Sequence, residues 1–220
     1  WLAHRRLSVI DLTTHGSQPM VSPCGRYVLT YNGEIYNYKT LKNELQSEGC
    51  TFISNSDTEV VLLACMKWGV EVAAKRFEGM FAFGFYDKIE ESLTLVRDPM
   101  GIKPLYYSHS GTKFAFSSEL SPLLQLPWLD TSINQEALFY YFRYLCVPAP
   151  TSIISGIKKL PSGSLLTFKN DKTNIATYWD LEKVSAHARQ VASPTSLSEA
   201  TQELETKLTH SVQQHMQSDV

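Results

Sequence analysis

Residues 27–37 constrain the fold most. Tyr27, Val28, Leu29 and Thr30 form a run of β-branched, aromatic and apolar side chains of the kind that fits a half-buried pleated surface. The run is halted at Asn32-Gly33 and continues as Glu34-Ile35-Tyr36-Asn37. Asn-Gly at the end of a strand ordinarily marks a turn. The pair also suits a second task. An asparagine amide donates N–H, and a glycine lets its own N–H approach a ligand with no Cβ in the way. Two such donors converging on one oxygen make an oxyanion hole. The stretch by itself leaves both readings open.

The segments on either side alternate between helical and strand periodicity. Residues 13–25 are rich in Thr, Ser, Gly and Pro and read as a loop with a turn at Pro23-Cys24-Gly25-Arg26. Residues 38–49 place Leu41 and Leu45 four apart among Lys and Glu, which predicts a short amphipathic helix ending at Gly49. Ser56-Asp57-Thr58-Glu59 stands directly before an apolar run and matches a capping box, in which Ser56 bonds the N3 amide and Glu59 reaches back to the cap's own N–H. That pattern accounts for Ser56 and Glu59 but not for Asp57, which at the first helical position is favoured by the helix dipole. Residues 80–86, 92–96, 105–108 and 113–117 read as four strands with hairpin-like spacing, hence an antiparallel sheet. Phe81, Phe83, Phe85, Tyr106, Tyr107, Phe114 and Phe116 are read as its core packing, and Arg97-Asp98 as a structural ion pair at a tight turn. A helix is expected over 134–147, stopped by Pro148 and Pro150. Residues 183–198 read as a polar linker, and Leu204, Leu208, Val212 and Met216 fall on one stripe of a last helix.

Composition matters mainly for what it excludes. Lys and Arg number 20 against 22 Asp and Glu, interspersed, so no basic footprint for nucleic acid or an anionic membrane is present. No apolar run approaches the length of a membrane span. Cys24, Cys50, Cys65 and Cys146 have neither metal spacing nor a paired pattern, which fits reduced thiols in a cytoplasmic protein, most of them serving as small buried hydrophobes.

Taken in order, Ala3-His4-Arg5-Arg6-Leu7-Ser8-Val9-Ile10-Asp11, the Asn32-Gly33-Glu34-Ile35-Tyr36-Asn37 stretch, Ser56-Asp57-Thr58-Glu59, Gly79-Met80-Phe81-Ala82-Phe83, the run from Arg97 to Tyr107 and Ser117-Ser118-Glu119 resemble the glutaminase domain of glutamine-hydrolysing asparagine synthetases, class II amidotransferases among the amino-terminal-nucleophile (Ntn) hydrolases. The likeness extends over nearly the whole chain. It implies an α+β fold, a four-layer αββα sandwich of two antiparallel sheets with a C-terminal helical extension. A glutaminase domain over 1–182 would be followed by a linker and the first helix of a synthetase domain over 183–220.

The resemblance also implies roles. Arg6 would pair with the α-carboxylate of glutamine, a task that suits the planar guanidinium fork, with Leu7, Ser8, Val9 and Ile10 completing that binding stretch. Glu34 and Asp57 would meet the α-ammonium, and the Asn32 side chain with the Gly33 N–H would form the oxyanion hole. Gly16-Ser17-Gln18-Pro19-Met20 resembles the family's Gln-Pro loop near the site. Family members attack the amide with a cysteine that is the mature first residue; here the first residue is Trp1, and all four cysteines lie downstream of the Arg6 motif. The expectation is therefore a fragment with an exposed sheet edge, itself inactive. Its parent would hydrolyse L-glutamine to glutamate and ammonia for ATP-dependent amidation of aspartate. ATP and Mg²⁺ would belong to the synthetase domain and no metal or cofactor to this segment; that domain and a second copy in a homodimer are the expected partners. Two alternatives stand beside this one: a synthetase-like amidotransferase with a carbohydrate or peptide acceptor, and a non-catalytic glutamine-binding module.

Overall fold

The computed structural model describes residues 1–5, 11, 13–191 and 196–216. After a 3-10 turn at Thr14–Gly16, the chain runs through β1 (Met20–Val21), β2 (Tyr27–Ile35), α1 (Tyr38–Ser47), α2 (Asp57–Trp68), α3 (Val70–Arg76), β3 (Gly79–Asp87), β4 (Ser92–Arg97), β5 (Tyr106–Ser110) and β6 (Lys113–Ser117). There follow α4 (Leu120–Leu123), α5 (Gln135–Tyr144), β7 (Lys158–Lys159), β8 (Ser164–Lys169), β9 (Lys172–Thr177), α6 (Leu181–Val191) and α7 (Leu197–His215). The strands form two antiparallel sheets, one ordered β1-β2-β3-β4-β8-β9 and one ordered β6-β5-β7.

Strand alternation gives the large sheet two apolar faces. Leu29, Tyr31 and Ile35 of β2, with Phe81, Phe83 and Phe85 of β3, pack on Leu41 and Leu45 of α1, on Val60 to Cys65 of α2 and on Ala73 and Ala74 of α3. The opposite face, through Ala82, Leu93, Leu95 and Leu166, meets Leu105, Tyr107 and Leu160 beside the small sheet, with Phe114, Phe116 and Phe168 packed around them. Burial of these side chains is the main favourable term in holding the layers together. The small sheet is flanked by α4, which packs on β6, while Asn134 caps α5 by accepting from the Ala137 N–H at 3.1 Å. This is the expected stack of two antiparallel sheets with helices outside. Among the described residues no helix is long and apolar enough to cross a membrane.

Several local expectations need correction. Ser56 caps α2 through the Thr58 N–H at 3.2 Å, but Glu59 does not reach back to it. Its carboxylate accepts from Ile53 N–H at 3.0 Å, Ser54 N–H at 2.7 Å and the Ser54 hydroxyl at 2.6 Å, so it stitches down the preceding loop. The capping box occurs instead at Ser196 and Glu199, where α7 begins. Arg97 and Asp98 form no ion pair. Arg97 donates to the carbonyls of Gly101, Lys103 and Leu160 at 2.8, 2.9 and 2.7 Å, while the fully buried Asp98 accepts the N–H groups of Phe81, Met100, Ile102 and Lys103. Each charge is matched to backbone dipoles of the turn, which satisfies more polar groups than one contact between the two would. Residues 181–191 are helical where a polar linker was expected, because Leu181, Val184 and Val191 still follow a helical spacing. Of the four thiols only Cys65 is buried; Cys24 and Cys146 are exposed.

The β3–β4 hairpin is fastened to β2 by one carboxylate. Asp87 takes the Arg26 Nε at 2.8 Å and Nη2 at 2.6 Å, plus the N–H groups of Ile89 and Glu90 in the turn. The Arg26 hydrogen bonds hold the Asp87 carboxyl down at about 2, against the ordinary 3.8. A carboxyl depressed in the folded state adds stability above its unfolded pKa and loses it as pH falls toward the folded value. The Arg26→Gln variant is expected to melt below the wild type at about pH 6, with the gap closing as pH falls from about 4 to about 2. Melting curves with the same gap at both ends of that range would contradict the assignment.

Candidate functional site

One edge of β2 collects the groups of interest. Tyr31 presents its N–H to Gln18 Oε1 at 2.6 Å and its carbonyl to Gln18 Nε2 at 3.0 Å. Ile35 presents its N–H to Asp57 Oδ2 at 3.1 Å. Backbone groups on a strand alternate sides with period two, so the Gly33 N–H and carbonyl, midway between, point to this same edge. The partner strand agrees: Gly33 faces Phe81 in register, and Phe81 directs its own N–H and carbonyl to Asp98, away from β2. The neighbour on the open side, β1, pairs only with Val28 and Leu29 and stops short of Gly33. Glycine is required there by space as well. A Cβ on Gly33 would stand 2.2 Å from the Met80 carbonyl oxygen and 2.7 Å from Phe81 Cα, and a Cβ on Gly79 would stand 2.1 Å from the Glu34 carbonyl oxygen.

Asp57 meets this edge from the first turn of α2. Its carboxylate, 5% exposed, receives the Tyr31 hydroxyl at 2.7 Å and the Ile35 N–H at 3.1 Å, both on Oδ2. Oδ1 is the oxygen these two bonds leave over. Burial raises the Asp57 pKa, opposed by hydrogen bonds from Tyr31, from the Ile35 N–H and from the Thr58 backbone, and reinforced by the charge of Glu34. Burial and the Asp57 charge also push the Tyr31 hydroxyl well above its usual value, so it stays a donor.

Asn32 and Glu34 lie on the other face of β2, by the same alternation that sends Tyr31 and Ile35 toward the helices. The Asn32 amide donates to the Ser118 hydroxyl at 3.3 Å, a long contact. Glu34 is half-buried, and among the described residues neither it nor Asp57 forms an ion pair. Gly33 and Asp57 are therefore brought to one edge, with Asn32 and Glu34 beside it. Arg6, Leu7, Ser8, Val9 and Ile10 lie outside the described residues.

Spacing defines what such an edge can hold. From the Gly33 N–H to the Ile35 N–H is two strand residues, on the order of 6–7 Å. That is about the reach of an extended glutamine from its α-ammonium to its side-chain amide oxygen. Among the described residues, a buried carboxylate with no protein cation suits the first group, and an N–H on the edge left uncovered by β1 suits the second. No group of three or more His, Cys, Asp or Glu able to hold a metal is present among the described residues. The thiols are placed elsewhere: Cys24 contacts the Ser22 hydroxyl at 3.3 Å, and Cys65 sits in the helix-facing core, where burial pushes its thiol far above the ordinary range.

Sequence reasoning passed over Gln18 and Tyr31 as contributors to this edge. The only signal was the Gln-Pro dipeptide; nothing in a strand-type tyrosine says that its hydroxyl will meet a carboxylate 26 residues away.

Comparison with known proteins points the same way. A family model described as a glutamine amidotransferase domain matches residues 1–179. Asparagine synthetase (glutamine-hydrolyzing) 1 of Bacillus subtilis is 38% identical over 217 residues, 98% of this chain and 33% of that protein. Asparagine synthetase (glutamine-hydrolyzing) 3 of the same organism is 36% identical over 182 residues, 81% of this chain and 29% of that protein. The chain thus spans about a third of the length of these curated relatives. Among solved structures, a glutamine phosphoribosylpyrophosphate amidotransferase from B. subtilis, complexed with ADP and GMP, superposes with a TM-score of 0.55 at 18% identity, over 80% of this chain and 34% of that one. At that identity the likeness speaks for the fold alone.

Proposed function

The chain belongs to the glutamine amidotransferase domain family, and from that premise we propose that it is the glutaminase half of an asparagine synthetase, which releases ammonia from L-glutamine for ATP-dependent amidation of aspartate in a longer protein. The observation that carries this reading is the Asp57 carboxylate fixed beside the Gly33 edge, which none of the described residues covers. Glutamine lies along that edge with its α-ammonium on Asp57 and the charge of Glu34 close by. Its side-chain carbonyl comes to the Gly33 N–H, and the Asn32 amide leaves Ser118 to complete the oxyanion hole. Arg6 takes the α-carboxylate.

Reading both charged ends excludes simple amides, because a desolvated clamp left without its partner costs on the order of 3 kcal/mol. In catalysis a cysteine thiolate of the longer protein attacks the amide carbon, and the developing oxyanion is held by the Asn32 and Gly33 donors. The amide nitrogen takes a proton and leaves as ammonia, and water hydrolyses the resulting thioester to glutamate and the free thiol. The ammonia then passes to the synthetase half, where ATP and Mg²⁺ act.

Asn32→Ala in the full-length protein tests this most simply. Glutamine-dependent turnover is expected to fall roughly 10²-fold, as for loss of one oxyanion donor, while ammonia-dependent synthesis is unchanged. Equal loss of both activities would remove Asn32 from the oxyanion hole.

A further inference from the structure

We propose that Gln18 and Tyr31, which touch neither end of the bound amino acid, are positioning residues for glutamine: Gln18 closes the Tyr31 rung of the β2 edge and leaves Gly33 uncovered among the described residues, and Tyr31 aims the Asp57 carboxylate. The inference rests on the reading that Asp57 takes the α-ammonium.

The geometry is specific. A strand continuing β1 along β2 would bond to Tyr31 next and then to Gly33, covering the site. It does not continue. The Gln18 side chain takes the place of the missing strand, accepting from the Tyr31 N–H and donating to the Tyr31 carbonyl. Its amide nitrogen also lies 3.5 Å from the Thr58 hydroxyl, so the same side chain ties β2 to the first turn of α2. An amide is the side chain that can satisfy a backbone donor and a backbone acceptor together. The rung ends there because a side chain, unlike a strand, has nothing further to offer Gly33.

Tyr31 is fixed by that rung and in turn fixes Asp57. Its hydroxyl is the side-chain donor to Oδ2, and the Ile35 N–H is the backbone donor to the same oxygen. Both donors hold one oxygen of the carboxylate, and Oδ1 is the oxygen proposed to meet the substrate ammonium. Titratable groups also stand on the surrounding segments. Glu34 acts from β2, Asp11 accepts the Asn55 N–H just before α2, and His4 Nδ1 lies 3.2 Å from Gln18 Oε1.

Kinetics of the full-length protein with L-glutamine separate positioning from mere support of the fold. Tyr31→Phe keeps the buried ring and removes only the hydroxyl. Its KM for glutamine is expected to rise roughly tenfold with kcat little changed, the scale of one hydrogen bond to a charged group. The hydroxyl stabilises the ionised carboxylate, so without it the Asp57 pKa rises and the acid limb of kcat/KM moves to higher pH. A purely structural tyrosine would not move that limb. Gln18→Met, similar in length and without hydrogen bonds, is expected to raise KM in the same way.

Asp57→Asn is the reference variant. If it raises KM and Tyr31→Phe leaves both KM and the acid limb in place, the positioning role is overturned and the ammonium reading stands. If Gln18→Met lowers the melting temperature without changing KM, Gln18 supports the fold only, and its part of the inference is overturned. If Asp57→Asn itself leaves KM unchanged, the underlying reading fails and the inference with it.

Discussion

Gly33→Ala is expected to be the most damaging single substitution near the site, lowering stability by about 3 kcal/mol and abolishing measurable glutamine hydrolysis. The added Cβ would meet the Met80 carbonyl oxygen at 2.2 Å and Phe81 Cα at 2.7 Å. Both are backbone atoms of the paired strand and cannot turn aside as a flexible side chain would. The pairing of Gly33 with Phe81 must therefore open, which disturbs the core around Phe81, a fully buried ring. Gly33 also has φ +156°, a conformation L-residues rarely adopt. Thermal unfolding of the variant checks this directly; a melting temperature equal to that of the wild type would show that β2 and β3 are less rigidly joined than described here.

Asp57→Asn is expected to have the second largest effect, and its signature is a split between binding and stability. Losing the charge proposed to meet the substrate ammonium should raise KM for glutamine by about 10²-fold, since breaking one side of a desolvated charge pair costs roughly 2–5 kcal/mol. Stability should not fall with it. The Asp57 pKa is raised above the ordinary 3.8, chiefly by burial, so the ionised carboxylate is disfavoured in the free fold. For a carboxyl raised in the folded state, stability is greatest below the unfolded pKa and declines as pH rises through the window above 3.8. An asparagine oxygen can still accept from Tyr31 and Ile35 without that decline. The variant should melt no lower than the wild type at neutral pH while losing its hold on glutamine. A variant that lost stability and kept its KM would assign Asp57 to the fold instead.

The parts of this account that were legible in the sequence are those where one periodicity acts alone. Leu41 and Leu45 predicted a helix, and α1 buries both. The apolar and aromatic run after Tyr27 predicted a strand, and Phe81, Phe83 and Phe85 predicted core. Where side chains had a choice of partner, spacing failed. Glu59 had the capping-box position but found three closer donors in the loop at Ile53 and Ser54. Arg97 and Asp98 were adjacent and opposite in charge, yet each is used by backbone groups of the turn that adjacency does not reveal. Asn32-Gly33 was read both as a turn and as a pair of donors. The structure keeps Gly33 inside β2, with the chain turning only after Ile35, and places its N–H on an edge that β1 does not reach. What made that edge visible was the Gln18 side chain standing in for a strand, a long-range substitution that no local pattern encodes.

The amino acid is expected to lie along the Gly33 edge with its ammonium on Asp57. A structure of the full-length protein with L-glutamine, or a non-reactive analogue, in the site tests this most directly. The ligand ammonium is expected within about 2.7–3.2 Å of Asp57 Oδ1 and the side-chain carbonyl at the Gly33 N–H. A ligand held elsewhere, with Asp57 bonded only to Tyr31 and Ile35 and the Gly33 edge covered by protein, would contradict it.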